Sequence, residues 1–168
     1  MTLPGMRQCW GRIFVVQAED VWKAPGFLIR RCHQIATGIF LDEARAQDFT
    51  PTQFAALAFI QLQPRIDQRT LGEAIALDRS SVTKCVDRLE QRGFIRREVS
   101  PEDKRSRLLT ITESGTAVLD DVARATSRTR DRIETQFGKE KLALLSGLLS
   151  ELSDTLNDTS RAPFATKD

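Results

Sequence analysis

Tyrosine is missing altogether from this sequence, histidine occurs once and cysteine three times. These scarcities exclude several functions. His33 with the scattered Cys9, Cys32 and Cys85 cannot assemble a conventional four-ligand zinc site. An odd number of widely spaced cysteines is no disulfide framework; it suits free thiols in a reducing compartment. No apolar run approaches the ~18 residues that a membrane span requires. Near the start the apolar run is only Ile13 to Val16, too short for a signal-peptide core, so a cytoplasmic protein is expected. There is no glycine-rich phosphate loop, no nucleophile elbow, and no His or carboxylate pair at catalytic spacing. Neither an enzyme nor a cofactor or metal is expected.

Net charge is also small, +2 over 168 residues, but it is unevenly spread. Arg79 to Arg107 holds nine basic and five acidic residues, which leaves the remainder slightly acidic. One basic segment on a near-neutral body suggests an anion-binding face, although a solvated helix surface would give the same count. Hydrophobic residues make up 40%, enough for a core, and the length fits one lobe plus an oligomerisation element.

Residues 1–25 are bracketed by Pro4, Gly5, Pro25 and Gly26. They read as an arm or short helix leaning on the body through Phe14, Val15, Val16 and Trp22. From Phe27 to Gln47, Leu28, Ile29, Cys32, Ile35, Ala36, Ile39 and Phe40 recur at helical steps. Thr50-Pro51-Thr52-Gln53 is a capping box that opens a helix through Leu62. Asp67 caps a short helix, Gln68 to Ala76, and Asp78 caps a second, Arg79 to Arg92, which stops at Gly93. Phe94–Val99 and Arg107–Ile111 read as strands around a polar turn, a hairpin. Thr112 caps a helix from Glu113 to Phe137, and Lys139 to Asn157 follows. Its Leu142, Leu145, Leu149, Leu152 and Leu156 form an apolar stripe too long for one lobe to cover. The tail from Asp158 reads as disordered.

The order helix, helix, tight turn, helix, hairpin makes a winged helix-turn-helix: mostly α with a small antiparallel wing. In Arg79–Arg92, the apolar Val82, Cys85, Val86 and Leu89 fall within an arc of about 100°. Arg79, Ser80, Thr83, Lys84, Asp87 and Arg88 fall opposite. Short hydroxyls can approach base edges, and Arg or Lys can reach guanines or phosphates. Arg79, Ser80, Ser81, Thr83, Lys84 and Arg88 are thus candidate DNA contacts, with Lys104, Arg105 and Arg107 on the hairpin for the adjacent minor groove. Asp103 reads as a structural partner, paired with a nearby arginine.

Two stretches carry a family resemblance. They are Leu89-Glu90-Gln91-Arg92-Gly93-Phe94-Ile95-Arg96-Arg97 and Asp103-Lys104-Arg105-Ser106-Arg107-Leu108-Leu109-Thr110-Ile111-Thr112-Glu113-Ser114-Gly115. Their wing pattern, Asp-x-Arg-Ser-x-x-Leu-x-x-Thr-x-x-Gly, resembles the multiple-antibiotic-resistance regulator (MarR) family, and element order agrees over 26–157. The resemblance implies a DNA-binding lobe at 50–112 and dimerisation helices at 26–47 and 113–157, with a disordered tail at 158–168. It implies an obligate homodimer on a palindromic double-stranded operator, and repression relieved by an aromatic carboxylate effector. Arg30, His33 and Thr37 share one helix edge beside apolar surface, and a cation, an imidazole and a hydroxyl can clasp a carboxylate; Phe54 is a candidate ring wall. His33 reads equally as a half-buried structural residue. One family branch senses peroxide through a first-helix cysteine held by tyrosine hydroxyls. With no tyrosine here and Cys32 inside the apolar stripe, packing is the favoured role. A thiol sensor, and a DNA-binding or architectural protein without an effector, stay open as alternatives.

Overall fold

The computed structural model describes residues 17–164. Cys9, Phe14, Val15 and Val16 of the expected arm and 165–168 of the tail lie outside the described residues. The chain divides into a unit ending at Ile35 and a unit from Ala36 onward.

In the first unit, α1 (Ala18–Lys23) buries no residue, and Trp22 is exposed rather than packed. Ala24 is extended, as a residue before proline must be, and Pro25 then takes the first position of α2 (Pro25–Glu43). Proline is suited to that place because it lacks the N–H that would go unpaired there. The expected start at Phe27 is thus two residues late. Cys32 is exposed in the single chain, contrary to the burial expected from its stripe. Leu28, Ile29 and Ile35 of that stripe are exposed too. Periodicity marks a face that gains by being covered, but does not say what covers it.

In the second unit, α2 stops at Glu43, four residues before the expected end. Asp48 turns the backbone at φ +50°. The Thr50 side chain accepts the Gln53 N–H, and the Gln53 amide oxygen accepts the Thr50 N–H at 2.9 Å, so the capping box opens α3 (Pro51–Leu62). A strand absent from the sequence reading follows: β1 (Ile66–Asp67) pairs with β3 (Arg107–Ile111), which also pairs with β2 (Ile95–Val99). The wing is therefore a three-stranded antiparallel sheet of order β1-β3-β2. Two residues are too few for any alternation to be visible.

Helix α4 (Gln68–Ala74) ends before the expected Ala76, because Ala76 adopts φ +51° and the Leu77 N–H bonds back to the Gly72 carbonyl. A methyl on Gly72 would lie 3.0 Å from both the Leu77 carbonyl and Val82, so this glycine permits the close crossing of α4 and α5 (Arg79–Gln91). The core gathers Phe40, Phe49, Leu57, Ile60, Ile66, Leu71, Val86, Leu89, Ile95, Leu109 and Val122. Helix α6 (Glu113–Phe137) is tied to the end of α2: Arg128 donates to the Glu43 carboxylate and carbonyl, both at 3.0 Å. Helix α7 (Lys139–Thr155) buries no residue. The tail expected to be disordered instead continues as a 3-10 turn, Asn157–Thr159, and a loop closed by Asn157. The Asn157 amide accepts the Phe164 N–H at 2.8 Å and donates to the Phe164 carbonyl at 3.0 Å. Among the described residues no helix is long and apolar enough to cross a membrane.

The end of α5 and the start of α6 meet at two glycines. Gly93, at φ +74°, closes α5: its N–H bonds to Glu90 and that of Phe94 to Leu89. That bond pair is the left-handed helix stop that favours glycine. The freed Gly93 carbonyl accepts the Thr112 and Ser114 hydroxyls at 2.7 and 2.9 Å. A methyl on Gly115 would collide with the Phe94 carbonyl oxygen and stand 2.8 Å from Ile111. We expect Gly93→Ala to cost about 1–2 kcal/mol through its backbone angle alone. Gly115→Ala, which forces backbone against backbone, should cost about 3 kcal/mol or more. Urea unfolding of the two variants checks the order; equal losses would show that the Phe94 carbonyl is not pinned.

Candidate nucleic-acid interface

Helix α5 has a buried face of Val82, Cys85, Val86 and Leu89, the four residues its spacing selects. The Cys85 sulfur lies 3.9 Å from the Thr52 carbonyl, and burial pushes its thiol up to about 11, so it is an unreactive core residue. On the other side Arg79, Ser80, Thr83, Lys84 and Arg88 are exposed, and Ser81 is half-buried.

Two ionic devices fix this helix. Arg97 on β2 donates to Asp87 at 2.7 Å and, through two nitrogens, to Glu90, so the helix is buckled to the wing. A guanidinium fork that meets two carboxylates holds orientation as well as charge. At the C-terminal end Arg92 lies between the Phe49 and Phe94 rings, 4.9 and 4.8 Å from their centres, and donates to the Gln47 and Asp48 carbonyls. This contact spends the cation on the α2–α3 turn, where stacking and two short hydrogen bonds act together.

At the N-terminal end the Asp78 carboxylate accepts the Ser80 and Ser81 N–H groups and both their hydroxyls. The Thr83 hydroxyl donates to the Arg79 carbonyl at 2.9 Å. The hydroxyls expected to meet bases are therefore occupied as donors in the chain itself, and keep only their acceptor lone pairs for a ligand. Of the expected cations, Arg88 faces Asp48 at 3.5 Å across exposed surface, and Arg107 donates to the Lys104 carbonyl at 3.2 Å. Among the described residues the side chains of Arg79, Lys84, Lys104 and Arg105 have no hydrogen-bond or ion-pair partner. Asp103 does not pair with an arginine side chain. Its carboxylate accepts the Arg105 N–H at 2.9 Å and its carbonyl the Ser106 N–H, which makes the turn while leaving the Arg105 guanidinium loose.

Arg79, Arg105 and Arg107 line a groove of about 520 Å³ between the start of α5 and the wing, and Arg161 of the C-terminal loop lines it too. No local sequence signal marks Arg161, because the clasp that positions it spans seven residues and joins a side chain to backbone.

Of the candidate effector residues, Arg30 and His33 are exposed, so His33 is not half-buried in the single chain. Arg30 donates to Gln34 at 3.2 Å, with its guanidinium 5.0 Å from the Phe27 ring centre. Thr37, half-buried, stands on the same helix. Phe54 on α3 is half-buried with its ring tilted against Phe40 at 6.4 Å.

The MarR family model matches residues 49–106. The chain is 34% identical over 131 residues to a transcriptional regulatory protein for the hcr operon of Thauera aromatica, which covers 76% of this chain and 77% of that one. It is 33% identical over 101 residues to the HTH-type transcriptional repressor NicR of Pseudomonas putida, covering 60% of this chain and 64% of NicR. Among solved structures it resembles the PcaV transcriptional regulator of Streptomyces coelicolor in complex with its natural ligand. There the TM-score is 0.73 and the identity 28%, over 83% of this chain and 98% of PcaV.

The Asp78 cap gives a pH test. Hydrogen bonds from the Ser81 and Ser80 hydroxyls, then from backbone N–H groups, hold this carboxyl well below the usual carboxylate range. A depressed pKa contributes stability that is whole above the unfolded value, near 3.9, and is lost as pH falls through the folded value. Asp78→Ala should therefore melt below wild type by a constant margin at neutral pH, and that margin should narrow below about pH 4. Asp78→Asn, still a good cap, should recover most of the neutral-pH loss. Thermal melts from neutral to strongly acid pH decide; a margin that ignores pH would mean the carboxylate is not the capping group.

Proposed function

The chain belongs to the MarR family of transcriptional regulators, and on that premise we propose that it is a homodimeric repressor of a palindromic operator, released by a small aromatic carboxylate. The observation that carries the DNA reading is the division of labour on α5. Its apolar face is wholly engaged in the core, its ends are tied by Asp78 and Arg92, and Arg79 and Lys84 of its outer face, like Lys104 and Arg105 of the wing tip, have no partner among the described residues. Unneutralised cations on a rigid helix that fits the ~12 Å major groove suit a phosphate-lined duplex. In this reading Arg79, Ser80, Ser81, Thr83, Lys84 and Arg88 enter the major groove, and Lys104, Arg105 and Arg107 meet the adjacent minor groove. Dimerisation is supported by α7, which buries nothing while Leu144, Leu148, Leu149, Leu152 and Leu156 stay exposed. A second copy of this helix is the natural cover for such a face.

Sedimentation with and without a duplex selected by the protein from a randomised library tests this. The free protein should run at twice its 18.9 kDa chain mass. Arg105→Ala should weaken binding without altering the melting temperature. Lys84→Ala, if it removes a phosphate contact, should weaken all sequences alike and lower the salt slope by about one; loss of a base contact should instead cost ~1–3 kcal/mol on the selected sequence alone. A monomer, or full affinity in Arg105→Ala, would overturn the reading.

For the effector, Arg30 and His33 on one edge of α2 offer a cation and an imidazole to a carboxylate. A ligand shifts the dimer only by its differential affinity for the DNA-bound and free forms. In a screen of hydroxybenzoates, hydroxycinnamates and hydroxynicotinates, one compound should raise the melting temperature and release DNA. His33→Ala should keep operator affinity and lose that response. An unchanged midpoint in His33→Ala would remove His33 from the site.

A further inference from the structure

The C-terminal loop is placed where a disordered tail would not be. Helix α7 returns so that Leu152 and Leu156 surround a concavity shared with Ala76 of the α4–α5 turn and with Phe164. The Asn157 amide grips both the N–H and the carbonyl of Phe164, and the Ser160 hydroxyl accepts the Ala162 N–H at 3.1 Å. Asn157–Phe164 is thus a closed loop, and its cation is Arg161, exposed and without an ion-pair partner among the described residues.

Arg161 lines the groove that Arg79 and Arg105 also line. The acidic residues of that groove are already committed. Asp67 and Asp78 cap α4 and α5, and Glu73 pairs with Arg69 at 3.0 Å. Five arginines, Arg69, Arg79, Arg105, Arg107 and Arg161, stand against three carboxylates, Asp67, Glu73 and Asp78, around one concave surface, a surplus of two positive charges, and Arg79, Arg105 and Arg161, one each from α5, the wing and the C-terminal loop, have no ion-pair partner among the described residues. Such a site calls for an anion with several charges along a line, which is the chemistry of a nucleic-acid backbone.

We propose that the C-terminal loop is a third DNA-contacting element of this protein, and that Arg161 neutralises a backbone phosphate beside those met by Arg79 and Arg105. This rests on the DNA-binding reading above. Asn157 is its positioning residue, since it shapes the loop and touches no DNA.

The test is anisotropy titration, across a salt series, of the library-selected duplex and a random-sequence duplex of equal length. Wild type, Arg161→Ala, Asn157→Ala and Arg105→Ala are compared. Arg161→Ala should weaken both duplexes by the same factor, about 3- to 10-fold, and reduce the salt slope by about one. Asn157→Ala should weaken both in the same direction, though Arg161 is intact. Wild-type affinity and slope in Arg161→Ala, alongside a weakened Arg105→Ala, would overturn the loop's role and leave the DNA reading standing. Loss confined to the selected duplex would overturn the phosphate assignment. Failure of wild type to bind either duplex would overturn both readings together.

Discussion

The contact on which the rest depends is between one carbonyl and two hydroxyls. Gly93 ends α5 in a left-handed turn, and its carbonyl is taken by Thr112 and Ser114 at the start of α6. Phe94 is fixed by the same junction, since its carbonyl accepts the Thr112 N–H and excludes any side chain at Gly115. Helix α5, the wing and the long helix α6 therefore share one knot. Phe94 in turn forms one wall of the Arg92 stack, whose other wall is Phe49. Through Arg92 the knot reaches the carbonyls of the α2–α3 turn.

Around that knot the chain separates structural from available charge. Arg92 and Arg97 are the arginines nearest the core of the lobe, and both are spent on internal partners. Hydrogen bonding to Glu90, and then to Asp87, pushes the Arg97 guanidinium's pKa still further above its ordinary value, so it is charged at any working pH. Arg79, Lys84 and Arg105 are exposed with nothing to hold them. A basic count over 79–107 cannot tell these classes apart, because the distinction is made by partners distant in sequence. Asp48 and Gln47 are 40 to 45 residues from the arginines they meet.

Local rules made much of the lobe legible. Thr50, Asp67, Asp78 and Thr112 are caps whose donors lie two or three residues on, so each could be read from spacing alone. The buried face of α5 followed from period 3.6 in the same way. What escaped was non-local or conditional. Strand β1 exists only because Leu108 and Leu109 pair with it. Asp103 turns its carboxylate to backbone in place of a guanidinium, a choice set by the turn's own geometry. Cys32 lies on an apolar stripe that the single chain leaves open. The C-terminal loop depends on a clasp between residues that no turn pattern links. The candidate effector positions were legible only as one edge of α2, which sets their order along a helix and not what they enclose.

Helix α6 runs unbroken for 25 residues, from the knot at Thr112 to Phe137. At 1.5 Å per residue it is a lever of roughly 37 Å. Its midsection is braced to the end of α2 by Arg128 and its far end turns into α7. A tilt of about 5° about that far end would carry the knot, and with it α5, through roughly 3 Å, nearly the 3.4 Å rise between successive nucleotides of a duplex.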